Sequence, residues 1–368
     1  MNLSQLKSIY FNPAKGIDKA TELGKTMAPI YLNMAYKEVF LAHNWIYRKR
    51  YGQITLIPRY TTGTATVAKY DGTNEDSART VTFSGASLTS AMVGRFVRFQ
   101  DGDMWYRINY ISGSTAYLDS PVSDVTSGAK TFEIWNRFYY LKSDVAEFLD
   151  FGRWANGRLE YNPDLMDRYT DLSKESDAPS SFDVSGVDLL NDAESSGTLS
   201  ITKDSNLATV SGVNLLSSGY DTGDICNIND TDYVIKRVDS NTRLILFNYW
   251  KDESLDSVAF TLKKNNPIGF EFYNPPDDYV STPYVYLGRA YDLVHETKDH
   301  ILLPDNFVPA IISRAQSFAL RDLDDNKWTS LLSVYAAELE GLKSKVQVVK
   351  PRFTKFSPQI SSLAPGRG

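Results

Sequence analysis

The stretch Ser87–Val122, SLTSAMVGRFVRFQDGDMWYRINYISGSTAYLDSPV, decides how the chain is divided. Apolar and aromatic residues alternate over Phe96–Phe99, Trp105–Ile111 and Tyr117–Leu118, and the polar clusters Asp101-Gly102-Asp103 and Ser112-Gly113-Ser114 separate them. A period of two broken by such turns marks short antiparallel strands, because Gly and Asp tolerate positive φ or hydrogen-bond their own backbone. The pattern reaches back to Ile54 and on to Phe132–Trp135, with a further turn at Asp71-Gly72. A β module over residues 61–135 follows.

The same order of features returns downstream. Gly197 opens GTLSI as Gly63 opens GTATV, and VTFSG at Val81 matches ATVSG at Ala208. Gly94 and Gly223 each precede a strand running into an Asp-rich turn, and YRINYIS at Tyr106 parallels YVIKRVD at Tyr233. Each copy then reaches a Thr-containing turn and a strand, TAYL and TRLILF. A chance likeness of two β segments is the alternative, but the order of the matches favours an internal duplication, with a second module over residues 194–264.

The flanks read as helix. Leu32, Ala35, Val39, Ala42 and Ile46 have helical spacing within Lys25–Arg48, with Asn33, Lys37 and Asn44 opposite and Phe40 and Leu41 interrupting the polar side. Such a helix either packs on two sides of its own core or buries a second face against a neighbouring subunit. Near the end, Asp305 or Asn306 caps a helix with Pro309 in its first turn and Val308, Ile311, Ile312, Ala315 and Ala319 on one face. A second helix from about Asn326 aligns Trp328, Leu331, Leu332, Tyr335, Leu339, Leu342 and Val346. Between the second module and the hairpin, Pro267, Pro275, Pro276 and Pro283 forbid a long helix, and between the two modules Asp164–Glu194 reads as an acidic loop.

The expected fold class is therefore α+β, a small helical body (an N-terminal helix plus a C-terminal αα-hairpin) with two inserted antiparallel β modules and a flexible C-terminal arm. The body and its connector would take residues 1–60, 136–193 and 265–349, and the arm residues 350–368.

Composition narrows the function. A single cysteine, Cys226, excludes an intramolecular disulfide, and His43, His295 and His300 stand in unrelated contexts without ligand spacing, so no metal or cofactor is expected. No segment approaches the roughly 18 apolar residues of a membrane span, and no membrane partner is expected. A net charge of -6 argues against a dedicated nucleic-acid binder. Aromatic residues at 13%, with 23 Tyr, exceed what a core of this size requires and suit interfaces.

Chemical motifs fail on inspection. Gly24-Lys25-Thr26 lacks the glycine five residues earlier that a phosphate loop needs, since Lys19 stands there. The run Asp322, Asp324, Asn326 imitates a calcium loop, but Lys327 and Ser333 occupy its glycine and glutamate positions. Ser4 and Lys7 form an Ser-x-x-Lys without its partner motifs. No nucleophile and base arrangement is visible, and no enzymatic activity is expected.

The tail Gly341–Gly368 has six basic residues and no acidic one, with Pro351, Pro358 and Pro365 around Phe353 and Phe356. It is either a solvated tail or an arm that orders on a partner, with Phe353 and Phe356 as anchors and Lys350, Arg352 and Lys355 for orientation.

The early helix ending in Ala42-His43-Asn44-Trp45, the module containing LTSAMVGRFVRF and WYRI, and the closing LLPDNFVPAIISRAQSFALRDL together make the chain resemble the head-to-tail adaptor (connector) proteins of short-tailed bacteriophages. The second module is a departure from the simpler family pattern. The resemblance implies a structural virion protein at the capsid vertex, made in the host cytoplasm. It implies a homo-oligomeric ring, commonly of twelve subunits, beneath the portal protein, with tail nozzle, tube or fibre proteins below. Phage DNA would pass through the lumen without sequence-specific binding, and the arm at Lys350, Arg352, Phe353, Lys355 and Phe356 would dock the portal. The rival expectations are a receptor- or carbohydrate-binding virion protein using paired β modules, and a hydrolase decorated with them.

Overall fold

Separate hydrophobic cores organise the computed structural model, which describes residues 1–11, 17, 22–89, 92–151, 160–161, 181–185, 195–216, 218–265, 269–273, 276 and 278–346. The helices are α1 (Leu3–Tyr10), α2 (Glu22–Leu41), the short α3 (Glu75–Arg79), α4 (Val308–Asp322) and α5 (Trp328–Lys345). Asn2 caps α1 in a reciprocal capping box with Gln5. Helix α4 buries Ile311, Ala315 and Ala319 on one side and Ala310, Ser317 and Leu320 on others, so it is the central helix of the body.

The strands begin with β1 (Lys49–Leu56). The first module holds β2 (Thr64–Val67), β3 (Thr80–Ser84), β4 (Phe96–Phe99), β5 (Tyr106–Ser112), β6 (Thr115–Leu118), β7 (Gly128–Lys130) and β8 (Phe132–Trp135). Then come β9 (Phe138–Tyr140), β10 (Val145–Phe151), β11 (Glu160–Tyr161) and β12 (Ser181–Ser185). The second module holds β13 (Ser195–Ile201), β14 (Leu207–Ser211), β15 (Ile225–Ile228), β16 (Thr231–Ser240), β17 (Arg243–Leu246) and β18 (Leu255–Lys263). Strands β19 (Gly269–Tyr273) and β20 (Val280–Gly288) close the series.

The two modules share a strand order. The first runs β7-β2-β3-β6-β5-β4-β8 as a half-barrel, and the second runs β13-β14-β17-β16-β15-β18 and closes. In the second, β18 alone pairs with both β13 and β15. In the first, β7 pairs with β2 and β8 with β4, and only Thr131 separates them. One closing strand has thus been broken in two. Register makes residues equivalent: Val97 pairs with Tyr106 as Cys226 pairs with Tyr233, and Ala65 pairs with Phe83 as Leu199 pairs with Val210.

The expected fold class is corrected by the structure. The chain is mostly β, with 38% strand against 25% helix, and the helical body with two insertions is not its architecture. Segments that sequence analysis left in the body and connector instead form two more sheets, ordered β1-β20-β10 and β11-β12-β19-β9, around Phe151, Phe182, Phe270, Phe272, Tyr284 and Tyr286. Pro283 forbids a long helix here, as the sequence implies, but it does not prevent a strand. Among the described residues the last pairing of β10 is Phe151 with Tyr284, and Pro283 stands opposite Gln53 of β1.

The first long helix is also shorter than its spacing predicts. It ends at Leu41, and Ala42 and Ile46 lie beyond it. Trp45 folds back into the helical core, donates its indole N–H to the Val39 carbonyl at 2.9 Å and meets Phe307 edge to face.

Candidate interaction surfaces

Three helices set the first surface. From α4, Arg314 reaches Glu38 of α2 at 2.9 Å and lies over the ring of Tyr335 in α5, while the Tyr31 hydroxyl donates to Asp322 at 2.5 Å. Helix α2 spends two sides on its own core, with Leu32, Ala35 and Val39 on one and Tyr36 and Phe40 beside them. Its outward side nonetheless exposes large apolar side chains: Ile30 is 46% exposed, Met34 42% and Leu41 50%. These positions recur on one helix face, so they form a strip, about 16 Å long at the α-helical rise. Lys37 lies on the same face between Met34 and Leu41, interrupts the strip, and pairs with Asp292 at 2.8 Å.

Helix α5 turns outward a face of opposite texture. Ser330, Ser333, Ala336 and Ala337 are exposed, with Val334 among them, and no charged residue occurs from Thr329 to Ala337. Outer faces of surface helices normally carry long charged side chains. A narrow, uncharged helix face lets another helix approach closely, and a strip of long apolar side chains would fill it.

A second surface lies on the first module. Tyr110 and Tyr117, 59% and 40% exposed, face each other across β5 and β6 with ring centroids 5.6 Å apart. Elsewhere on the module, Glu133 accepts from Arg59 at 2.6 Å and from Arg98 at 2.7 Å, and Arg98 stacks on Trp105. That charge cluster is internally paired.

The second module meets the turn between β9 and β10 through a polar joint beside a cavity of about 140 Å³. Ser143 donates its hydroxyl to Asp224 at 2.5 Å, Lys142 pairs with Asp221 at 3.1 Å, and Lys264 donates to the Gly219 carbonyl at 2.5 Å. Burial pushes the Asp224 carboxyl up and the Lys264 ammonium down from their ordinary ranges. On the far side Asn248 and the Tyr249 amide donate to Asp299 at 2.7 and 3.1 Å, and His295 Nε2 lies 2.8 Å from Asp204. Each of these groups has a partner across or beside the joint, so the arrangement fixes the module in place.

The proposed arm residues Lys350, Arg352, Phe353, Lys355 and Phe356 lie outside the described residues. His300 Nδ1 bonds to the Lys298 carbonyl at 2.8 Å, and His43 stands edge-on to Trp45, its burial holding its pKa low. The three histidines are held by different neighbours. Cys226 is buried and its thiol is pushed up to about 12, mainly by desolvation. Among the described residues no group of three or more His, Cys, Asp or Glu could hold a metal ion, and no helix is long and apolar enough to cross a membrane.

Sequence reading missed Ile30 and Met34 because it followed the stripe through Leu32, Ala35 and Val39. The missing charge in SLLSVYAA was the available signal for α5. No protein-family model matches the chain, and a search of curated proteins finds no match.

Proposed function

We propose that the chain is a structural virion protein of a tailed bacteriophage, a head-to-tail adaptor that forms a ring beneath the portal, joins capsid to tail and lines the DNA exit channel. The carrying observation is that helices sharing one core turn outward two unlike faces, the Ile30–Met34–Leu41 strip of α2 and the uncharged small-residue face of α5. A ring requires heterologous contacts, in which one face of each subunit meets a different face of the next. Large apolar side chains opposite small ones satisfy that requirement. Net acidity suits a conduit, because a lumen of like charge does not hold DNA by counterion release. The role needs no cofactor and no catalysis.

The test uses two variants. Met34→Lys damages the strip, and Ala337→Trp blocks the small face. Each alone should abolish the rings that wild type forms in negative stain, while an equimolar mixture should give dimers, because one good strip and one good face remain. Rings from either variant alone would reject this assignment of the contact. Wild type that neither self-associates nor binds portal-bearing heads would reject the adaptor reading itself.

The exposed Tyr110–Tyr117 pair supports a second reading, a receptor- or carbohydrate-binding virion protein. Glycan binding by the isolated monomer would favour it.

A further inference from the structure

The duplicated modules provide an internal control for what a bare barrel surface looks like. Register places two cross-strand rows on the outside of the first module, Thr66–Thr82–Thr115 and Thr80–Tyr117–Tyr110. The corresponding rows of the second module are Ser200–Thr209–Arg243 and Leu207–Ile245–Arg237. Arg237 and Arg243 are exposed, so this face of the second module is solvated by guanidinium groups. At the matching positions the first module has Tyr110 and Thr115. Its two rows contain no charged side chain, and Arg79, Arg107 and Asp119 stand only at their margin.

We infer that this Tyr and Thr face of the first module is a docking surface for a protein other than this chain, one that presents an uncharged polar surface and is itself repeated around an oligomer. The inference rests on the adaptor reading and deepens it by naming the module that meets the next component. Three arguments support this occupant. Tyr supplies large, rigid, amphipathic contact at low entropic cost, and short hydroxyl side chains supply adaptable hydrogen bonds, which is the chemistry of protein-binding paratopes. An unpaired charge buried against neutral rows would lose its hydration without compensation, so the partner surface must be uncharged. Six side chains cover well under the roughly 800 Å² per partner of a stable one-to-one complex. Single contacts are therefore weak, and a ring of them gains strength by multivalency only against a partner with matching repetition. The chain's own copies are not that partner, since their contact is met by α2 and α5.

The test introduces the photo-cross-linker p-benzoylphenylalanine in place of Tyr117, or of Ile245 as the matched control, and irradiates assembled particles. Adducts at position 117 to a different virion protein, at least ten-fold more abundant than at position 245, are expected. Tyr110→Ala combined with Tyr117→Ala should leave the melting temperature unchanged and reduce tail attachment to adaptor-bearing heads at least ten-fold. Arg237→Ala with Ile245→Ala should leave attachment unchanged. Cross-links at 117 to another copy of this chain would overturn the inference, as would equal yields at both positions, adducts to glycan alone, or normal attachment of the double tyrosine variant. Glycan adducts would favour the carbohydrate-binding reading instead; in the other cases the protein is still present in the particle and the adaptor reading stands. Absence of the protein from particles removes both.

Discussion

Gly223, at φ +94°, lies so close to Asp144 that a β-carbon on it would overlap the Asp144 amide nitrogen. Its counterpart in the first module, Gly94, has φ +86° but meets only the Arg107 guanidinium, 3.7 Å away. The amide of each donates to the carbonyl of an equivalent isoleucine, Ile235 and Ile108. The two glycines thus share a backbone conformation and differ in what stands over them. Gly94→Ala should cost only the left-handed strain, about 1 kcal/mol. Gly223→Ala should cost that plus overpacking of about 1–3 kcal/mol, read from urea melts. Equal losses would mean that the second module does not bear on Asp144.

Cys226 occupies the position that Val97 holds in the first module, and both are fully buried. Cys226→Val should therefore change stability by less than about 1.5 kcal/mol, as a near volume-conserving swap does. The native thiol should resist iodoacetamide at neutral pH, because burial raises its pKa to about 12 and leaves little thiolate. Labelling should appear only across the unfolding transition. Rapid labelling of native protein would place Cys226 at an opening of the barrel.

Trp45 ends the helical run of α2 by folding its indole under Val39. Trp45→Ala should cost about 3–5 kcal/mol, as loss of a large buried aromatic does. Trp45→Phe keeps most of the packing but leaves the Val39 carbonyl without its donor, at a cost of about 1–3 kcal/mol. Denaturant melts that rank the two variants the other way would contradict this account of the helix end.

Parts of this architecture were legible because local chemistry and tertiary context agreed. The turns at Asp101 and Asp230 both adopt positive φ, 65° and 60°, so the duplicated Asp-rich turns in the sequence have a common backbone cause. The α4–α5 hairpin announces itself through Ile311, Ala315, Leu331 and Leu342, which keep helical spacing into a shared core. The central sheets were not legible. Strand β12 pairs with β19 from far along the chain, Phe182 opposite Phe272, and no local period encodes that partnership. The surface readings were harder still, since Ile30, Met34 and Tyr117 are ordinary residues until burial of their neighbours shows that they point outward.

Arg50 and Asp144 give the last prediction. The Arg50 guanidinium donates to the Asp144 carboxylate at 2.8 Å, and the Tyr286 hydroxyl donates to it at 3.0 Å. Burial still outweighs these partners and holds the Asp144 pKa above its ordinary value. A carboxyl raised in the native state contributes stability that is complete below its unfolded pKa, about 3.9, and is lost as pH rises through the native value. Arg50→Ala removes the cation that limits the rise, so more stability is lost over the same climb in pH. The variant should match wild type near pH 3.5 to within about 1 kcal/mol and fall behind by about 3–5 kcal/mol at pH 7, the cost of leaving a buried charge unpaired. Adding Asp144→Asn to Arg50→Ala should recover most of that deficit and remove its pH dependence. Urea melts at several pH values decide the matter, and a deficit that stays constant from pH 3.5 to 7 would show that Arg50 acts through packing alone.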